Sequence, residues 1–578
     1  LLHKNTRAEE QSNKYIRNLI YGALLLLLFG CSDSYTPLQS KEEEKQVNVI
    51  TSMVISDPEN DPYTIENMNK ALRMSIAQKK GVAVASIDEN TYKLEPNFLY
   101  VRFLANGKQG EAELKKYDTS LVLFKHPMDY KPIQKPAVYI DPSLPDSVIP
   151  YFATVPVDYV FGPTKYEVIK ELFLVEPDEC DNEGCEEEQS DSLNFEKALL
   201  KKKRGVSQTT ASKLLDLGVS LREIEWTSLK MTDNLKHRLK SEDSKLGENP
   251  KMAWSLFSSG KKLGGQLKFE DDILGVQPLV GVRVTGGYSY YWREAHTDKD
   301  GKFKIPEKWN FDIDYEANFD SDDFLLEDGH SAYGEDLEIE KNDKHSDWNE
   351  TFTGNKAKWC VVWTAAYQYW YGEIYGLKRP RQNEWWNWSM DIEVYYKNEK
   401  DYNAENLEGS VGTFNNTLGL DDIGILAYKR SSYEIYGTTI HEIAHTSHYW
   451  NMKTTSAATP QSGEFALLSA TYKDTYARGI ENYFINKRYN NGIDEYRRRD
   501  YDYQYTGLVE DLMGTNPKSK CKDSRISGFH ITSIETAFFK NKKFSSMKKY
   551  LLNKNSSGVN GVKYTAESID NLFKCWGL

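Results

Sequence analysis

The sequence lacks an excess of positive charge: 73 Lys and Arg stand against 86 Asp and Glu, a net of −13 over 578 residues. Nucleic-acid binding rests on a basic footprint, so nucleic acid is not an expected partner. Gly-rich phosphate loops, a G-x-S-x-G elbow and a persuasive Cys and His pair are all missing, which removes three common catalytic readings. No apolar run reaches the roughly 20 residues of a comfortable bilayer span. With 39% hydrophobic and 28% charged residues, the chain has material for packed cores but not for a multi-span membrane protein. Cysteine is scarce, at six residues: Cys31, Cys180, Cys185, Cys360, Cys521 and Cys575. Cys180 and Cys185 can close a small acidic loop and Cys521 with Cys575 can staple the C-terminal region, but no second pair matches a zinc ribbon. What is abundant is aromatic: 38 Tyr and 13 Trp, suited to cores, contact surfaces or a substrate cleft. At roughly 150 residues per domain, the length predicts about three or four domains.

The segment YIRNLIYGALLLLLFGCSDS places Lys14 and Arg17 ahead of an apolar run from Leu19 to Phe29, followed by Gly30 and Cys31. This is the charged, apolar and small-residue layout of a secretory signal. Leu28-Phe29-Gly30-Cys31 resembles the lipobox of bacterial lipoproteins. The resemblance implies that residues 1–30 are removed and that Cys31 carries acyl chains, which would hold the protein at the cell envelope without a transmembrane helix. The polar residues 31–49 then read as a tether.

Periodicity divides the remainder into a multidomain α+β chain. Residues 50–177 contain a helical stretch, DPYTIENMNKALRMSIAQ, and two strand-like runs, NFLYVRFLAN and TSLVLFKHP, which predict an N-terminal α+β domain. Residues 178–262 are polar and charge-blocked and read as a linker or insertion with some helix. From 263 to 345 the period changes to two, with turns rich in Gly, Asp and Asn, predicting a small β-sandwich. PLVGVRVTGG with TDKDGKFKIP resembles the carboxypeptidase regulatory-like fold, which implies an accessory module that spaces or positions a catalytic unit. Residues 350–578 are helix-rich, with WCVVWTAAYQYWYGEIYGL as an amphipathic helix, MDIEVYYKN and DIGILAYKR as strands, and long helical patterns after them.

One of those helical patterns carries His441-Glu442-Ile443-Ala444-His445, an H-E-x-x-H sequence. Imidazoles at i and i+4 project from one helix face about a turn apart, a spacing that lets both reach a single zinc ion. Glu442, beside that face, is placed to act as general base on an attacking water. The order of strand, helix and long helix resembles a zincin catalytic domain. The metzincin continuation x-x-G-x-x-H is absent, because His448 holds the Gly position and Asn451 the last His position. The resemblance is therefore to gluzincins, whose third ligand is an acidic side chain from a later helix. Glu464, Asp474 and Glu481 are the candidates. DTYARGIENYF resembles the E-S-W-A-R-G-V-E helix of bacterial secreted gluzincin-like proteins, and that match implies Asp474 as ligand; Glu481, seven residues on, shares its helix face and is placed by that spacing to support the site. Aspartate is one methylene shorter than glutamate, so its helix must approach the metal more closely, as aspzincins do. Glu464 has a thermolysin-like distance from His445.

His448 lies near the histidine face, as a supporting group, a cleft residue or a half-exposed helix residue. His530 and Tyr505 are weaker candidates for oxyanion donors. Trp385, Trp386 and Trp388 suit a packed core better than a glycan-stacking surface. The expectation is a zinc-dependent metallopeptidase acting on protein or peptide substrates at the cell envelope, membrane-associated through Cys31. The rival expectation is a non-catalytic surface lipoprotein that binds glycan or protein and keeps a zincin domain for its shape.

Overall fold

The structure is a computed structural model. It describes residues 60–129, 141, 144–145, 148–176, 204–234, 261–309, 312–329, 335–344, 346–372, 376–380, 390–396, 412–415, 422–452, 465, 467–489, 506–515, 519–521, 524, 526–555, 559 and 561–578. The signal-like segment, the tether, Cys180, Cys185, Trp385, Trp386, Trp388, Glu464 and Tyr505 lie outside the described residues. The fold is mixed α/β with a helix-rich C-terminal region.

The N-terminal part begins with α1 (Ile65–Lys80), whose Thr64 hydroxyl caps Asn67 N–H and whose last turn closes on Gly81 in the left-handed conformation. β1 (Phe98–Asn106) then leads into α2 (Gly107–Tyr117). β2 (Val148–Pro156) and β3 (Lys165–Leu172) flank β1 on either side, both antiparallel to it. Among the described residues, the run TSLVLFKHP, whose pattern predicts a strand, makes only an isolated bridge from Phe124 to Phe152. α3 (Gln208–Leu217) and α4 (Leu221–Met231) follow, capped by Ser207 and Ser220. Leu214 and Ile224 from these helices close one apolar core with Met68, Leu72 and Ile76 of α1. Residues 204–234 of the polar 178–262 stretch therefore pack into the N-terminal part.

Two facing sheets come next. These are built from β4 (Gly264–Asp271), β5 (Gly275–Pro278), β6 (Arg283–Tyr288), β7 (Tyr291–His296), β8 (Lys302–Lys304) and β9 (Ile313–Asn318), of which β4, β8 and β9 alternate buried and open residues along much of their length. Phe303 on β8 and Tyr315 on β9 meet edge-on at 5.9 Å between the sheets. The strands after β9 divide between sheets. β10 (Phe324–Asp328) and β11 (Glu335–Asp336) leave for a different sheet, while β12 (Glu338–Lys344) and β13 (Trp348–Phe352) return to pair with β9 and β4. Alternation shows that a strand has one buried face and does not show which sheet receives it. Lys115 of α2 pairs with Asp320 at 3.0 Å and Lys125 pairs with Asp336 of β11, which ties the N-terminal part to the segments after β9, while Arg283 of β6 holds the same Asp320 through two bonds of 2.8 and 2.6 Å.

α5 (Gly354–Trp370) is buried on most sides, including Cys360, Val362, Trp363, Ala366 and Tyr369, so it is a core helix rather than an amphipathic surface one. β14 (Met390–Tyr395), β15 (Gly412–Asn415) and β16 (Asp422–Leu426) complete a five-stranded sheet of order β11-β10-β14-β16-β15. β10, β14 and β16 run parallel, and β15 closes the edge antiparallel to β16. Then come α6 (Ser432–Met452), α7 (Ala470–Tyr489), α8 (Leu508–Met513), α9 (Ile531–Lys540), α10 (Phe544–Lys554) and α11 (Ala566–Cys575). A disulfide joins Cys521 to Cys575, the pairing proposed above for the C-terminal region. Cys360 is free and buried.

Candidate metal centre

α6 begins with a reciprocal cap. Ser431 Oγ accepts from Glu434 N–H at 3.3 Å, and Glu434 Oε2 accepts from Ser431 N–H at 2.8 Å, the S-x-x-E box that satisfies two otherwise orphaned donors. Nearly every residue from Ser432 to Met452 is buried. Such a helix needs neighbours on all sides. α5 supplies one, through the 2.6 Å bond from Tyr436 OH to Gln368 Oε1, and α7 supplies another.

α6 and α7 pack antiparallel: Tyr436 meets Tyr489 at one end, His441 meets Glu481 in the middle, and His445 meets Asp474 beyond. Gly437 permits the close approach. A Cβ there would stand 2.7 Å from Ile485 Cδ1 and 3.1 Å from Glu481 Oε1. This is the physical condition under which an aspartate, one methylene shorter than a glutamate, can reach the histidine pair.

His441, His445 and Asp474 converge. Their ligand atoms all lie within 4.8 Å of one another and all three residues are buried, so the group could hold a metal ion. Nε2 of His441 and Nε2 of His445 are 3.1 Å apart, and His445 Nε2 is 3.3 Å from Asp474 Oδ1. Donors placed tetrahedrally around zinc at about 2.0–2.1 Å stand about 3.3 Å from one another. Two imidazole nitrogens and a carboxylate oxygen are also a donor set that suits that ion.

The tautomer of His441 follows from its other nitrogen. Nδ1 lies 3.0 Å from Glu481 Oε2, and Glu481 Oε1 accepts from Arg478 Nη1 at 2.6 Å. A carboxylate paired with a guanidinium only accepts, so Nδ1 carries the proton and Nε2 presents its lone pair to the cluster. Glu481 therefore supports a ligand and is not itself among the three converging residues.

Glu442 is buried beside the pair. Burial holds its carboxyl above the ordinary value; His441 and His445 draw it back down, and Asp474 and Glu481 oppose them.

The other residues singled out by sequence fall elsewhere. His448 sits fully buried in an aromatic box of Phe465, Tyr472, Tyr476, Phe538 and Phe539. It is neither half-exposed nor on an open cleft. Burial pushes its pKa well below the ordinary histidine value, so it is a neutral packing residue. Asn451 donates to the Ser447 and Arg379 carbonyls, away from any ligand role. His530 is exposed and caps α9, its Nδ1 accepting from Thr532 N–H.

Sequence reasoning missed Arg478 and Glu535. Glu535 is buried on α9, where its Oε1 accepts from Lys378 N–H at 3.0 Å and Tyr476 OH at 3.1 Å. Burial pushes its carboxyl up to about 7. Arg478 was visible as the arginine of the ARG triplet in the α7 pattern; Glu535 carried no local signal. Compared with known proteins, the chain matches no family model, no curated protein and no solved structure.

Proposed function

We propose that this protein is a zinc-dependent metallopeptidase of gluzincin type, the catalytic unit of a multidomain envelope lipoprotein anchored through Cys31. The convergence of His441, His445 and Asp474 from an H-E-x-x-H helix and the helix after it carries the reading. Zinc, when bound there, supplies a Lewis acid that polarises a scissile carbonyl. Glu442 removes the proton from the attacking water and returns it to the departing amine. Glu481 holds the His441 ring in orientation, with Arg478 donating to the other oxygen of that carboxylate. The lipobox-like Leu28–Cys31 supports the anchor, and no helix among the described residues is long and apolar enough to cross a membrane.

The test is a broad peptide-library digest by zinc-loaded protein beside its Glu442→Gln variant. Cleavage by the wild type alone is the expected result. A library left intact by protein that holds stoichiometric zinc refutes the peptidase reading and favours the non-catalytic lipoprotein.

A further inference from the structure

The hairpin between β4 and β5 touches both helices of the metal cluster. Ser432, the first residue of α6, and Asp272 form a reciprocal pair: Asp272 Oδ1 accepts from Ser432 N–H at 3.0 Å, and Ser432 Oγ accepts from Asp272 N–H at 3.1 Å. The neighbouring Asp271 holds the far end of α7. Its Oδ2 accepts from Arg488 Nη2 at 3.1 Å and from Tyr489 OH at 3.0 Å. Its Oδ1 accepts from the N–H groups of Ile273 and Leu274, at 3.0 and 3.1 Å, which fixes the turn itself. The Arg488 guanidinium also lies over the rings of Tyr436 on α6 and Tyr489 on α7, at 5.1 and 5.3 Å.

Two consecutive side chains of one rigid turn thus grip the start of one helix and the end of its antiparallel neighbour. The ligands lie further along the same helices: about 14 Å of helix separates Ser432 from His441, and about 21 Å separates Arg488 from Asp474, at 1.5 Å per residue. An α-helix transmits an axial shift along its length with little loss, and metal–ligand distances tolerate only about 0.2 Å. A slide of α6 against α7 must therefore break a bond at the turn or open the ligand set.

We propose that the β4–β5 turn is a positioning element of the metal cluster, with Asp271 and Asp272 locking the axial register of α6 against α7 and so setting the spacing between the two imidazoles and Asp474. The facing sheets are then part of how the site is built, not a spacer beside it. This inference rests on the metal-site reading above.

The test uses the full chain stripped of metal, titrated with zinc against a chromophoric chelator and separately loaded with Co²⁺ and read by its visible absorption. Asp272→Ala is expected to weaken zinc binding on the order of tenfold, within the range for residues that couple to a site without contacting it, and to change the Co²⁺ band intensities. Asp272→Asn keeps an oxygen that accepts from Ser432 N–H and is expected to restore both readouts. If Asp272→Ala does not fold, Ser432→Ala, which removes only the hydroxyl half of the pair, carries the same expectation in smaller size. A folded Asp272→Ala or Ser432→Ala protein with wild-type zinc affinity and an unchanged Co²⁺ spectrum overturns the proposal, whatever its melting temperature. Wild-type protein that takes up neither ion is a separate outcome: it overturns the metallopeptidase reading and this inference with it.

Discussion

Oε2 of Glu481 lies 3.0 Å from Nδ1 of His441, while the other oxygen of the same carboxylate accepts from Arg478. The arrangement fixes one tautomer and one ring orientation, with Nε2 directed at His445 Nε2 and the Asp474 carboxylate nearby. Glu481→Ala is expected to lower zinc affinity about 10- to 100-fold, the range for partners that orient a ligand from behind. Glu481→Gln should fall by less, because an amide oxygen still accepts from Nδ1–H. Equilibrium zinc competition on both variants checks the order.

Glu442→Gln should abolish hydrolysis and leave zinc bound. The amide cannot take up a proton at neutral pH, and loss of a general base costs on the order of 10²-fold or more in rate. Peptide turnover measured beside zinc content decides it. A variant that cleaves at the wild-type rate removes Glu442 from the mechanism.

Glu535 gives a pH signature. Its folded-state value is pushed up to about 7 by burial, from an ordinary carboxyl value of 4.5. A raised carboxyl favours its protonated form in the folded state, so its contribution is fully present below 4.5 and is lost as pH rises through about 7. Glu535→Gln keeps an acceptor for Lys378 N–H and Tyr476 OH and removes the charge. The variant is expected to match the wild type at pH 4 and to be more stable at pH 8, by about 3 kcal/mol as an upper bound. Urea denaturation at the two pH values measures the difference.

The Cys521–Cys575 bridge closes a loop of sequence separation 54. On the chain-entropy account, that closure stabilises the folded state by about 4 kcal/mol. Cys575→Ser should lower stability toward that figure, and reductant should bring the wild type down to the variant. Thermal melts with and without reductant make the comparison.

The part of the site that was legible in the sequence is the part written in local spacing. His441, Glu442 and His445 are fixed by five consecutive residues and one helical turn. Asp474 was reached through a resemblance of its helix, because an acidic residue on a helix face has no local mark of being a ligand. Asp271 and Asp272 were illegible: Asp272 meets Ser432 across a separation of 160 residues and Asp271 meets Tyr489 across 218, and no periodicity reports such contacts. The fold shows the same division. β14 and β16 and the two long helices follow their patterns. TSLVLFKHP carries the composition of a strand and pairs, among the described residues, through Phe124 alone, and β10 follows β9 in sequence yet pairs with β14 in another sheet. Local pattern specifies which face is buried; the partner is chosen by tertiary packing.

Zinc stoichiometry of the purified chain and of its Asp474→Ala variant tests the central claim most directly. One zinc per wild-type chain, and none retained by Asp474→Ala after dialysis that leaves the wild type loaded, is the predicted result, with Glu464→Ala retaining its zinc. A wild-type chain that binds no zinc, or an Asp474→Ala chain that holds it as tightly as the wild type, contradicts the assignment of His441, His445 and Asp474 as the metal site.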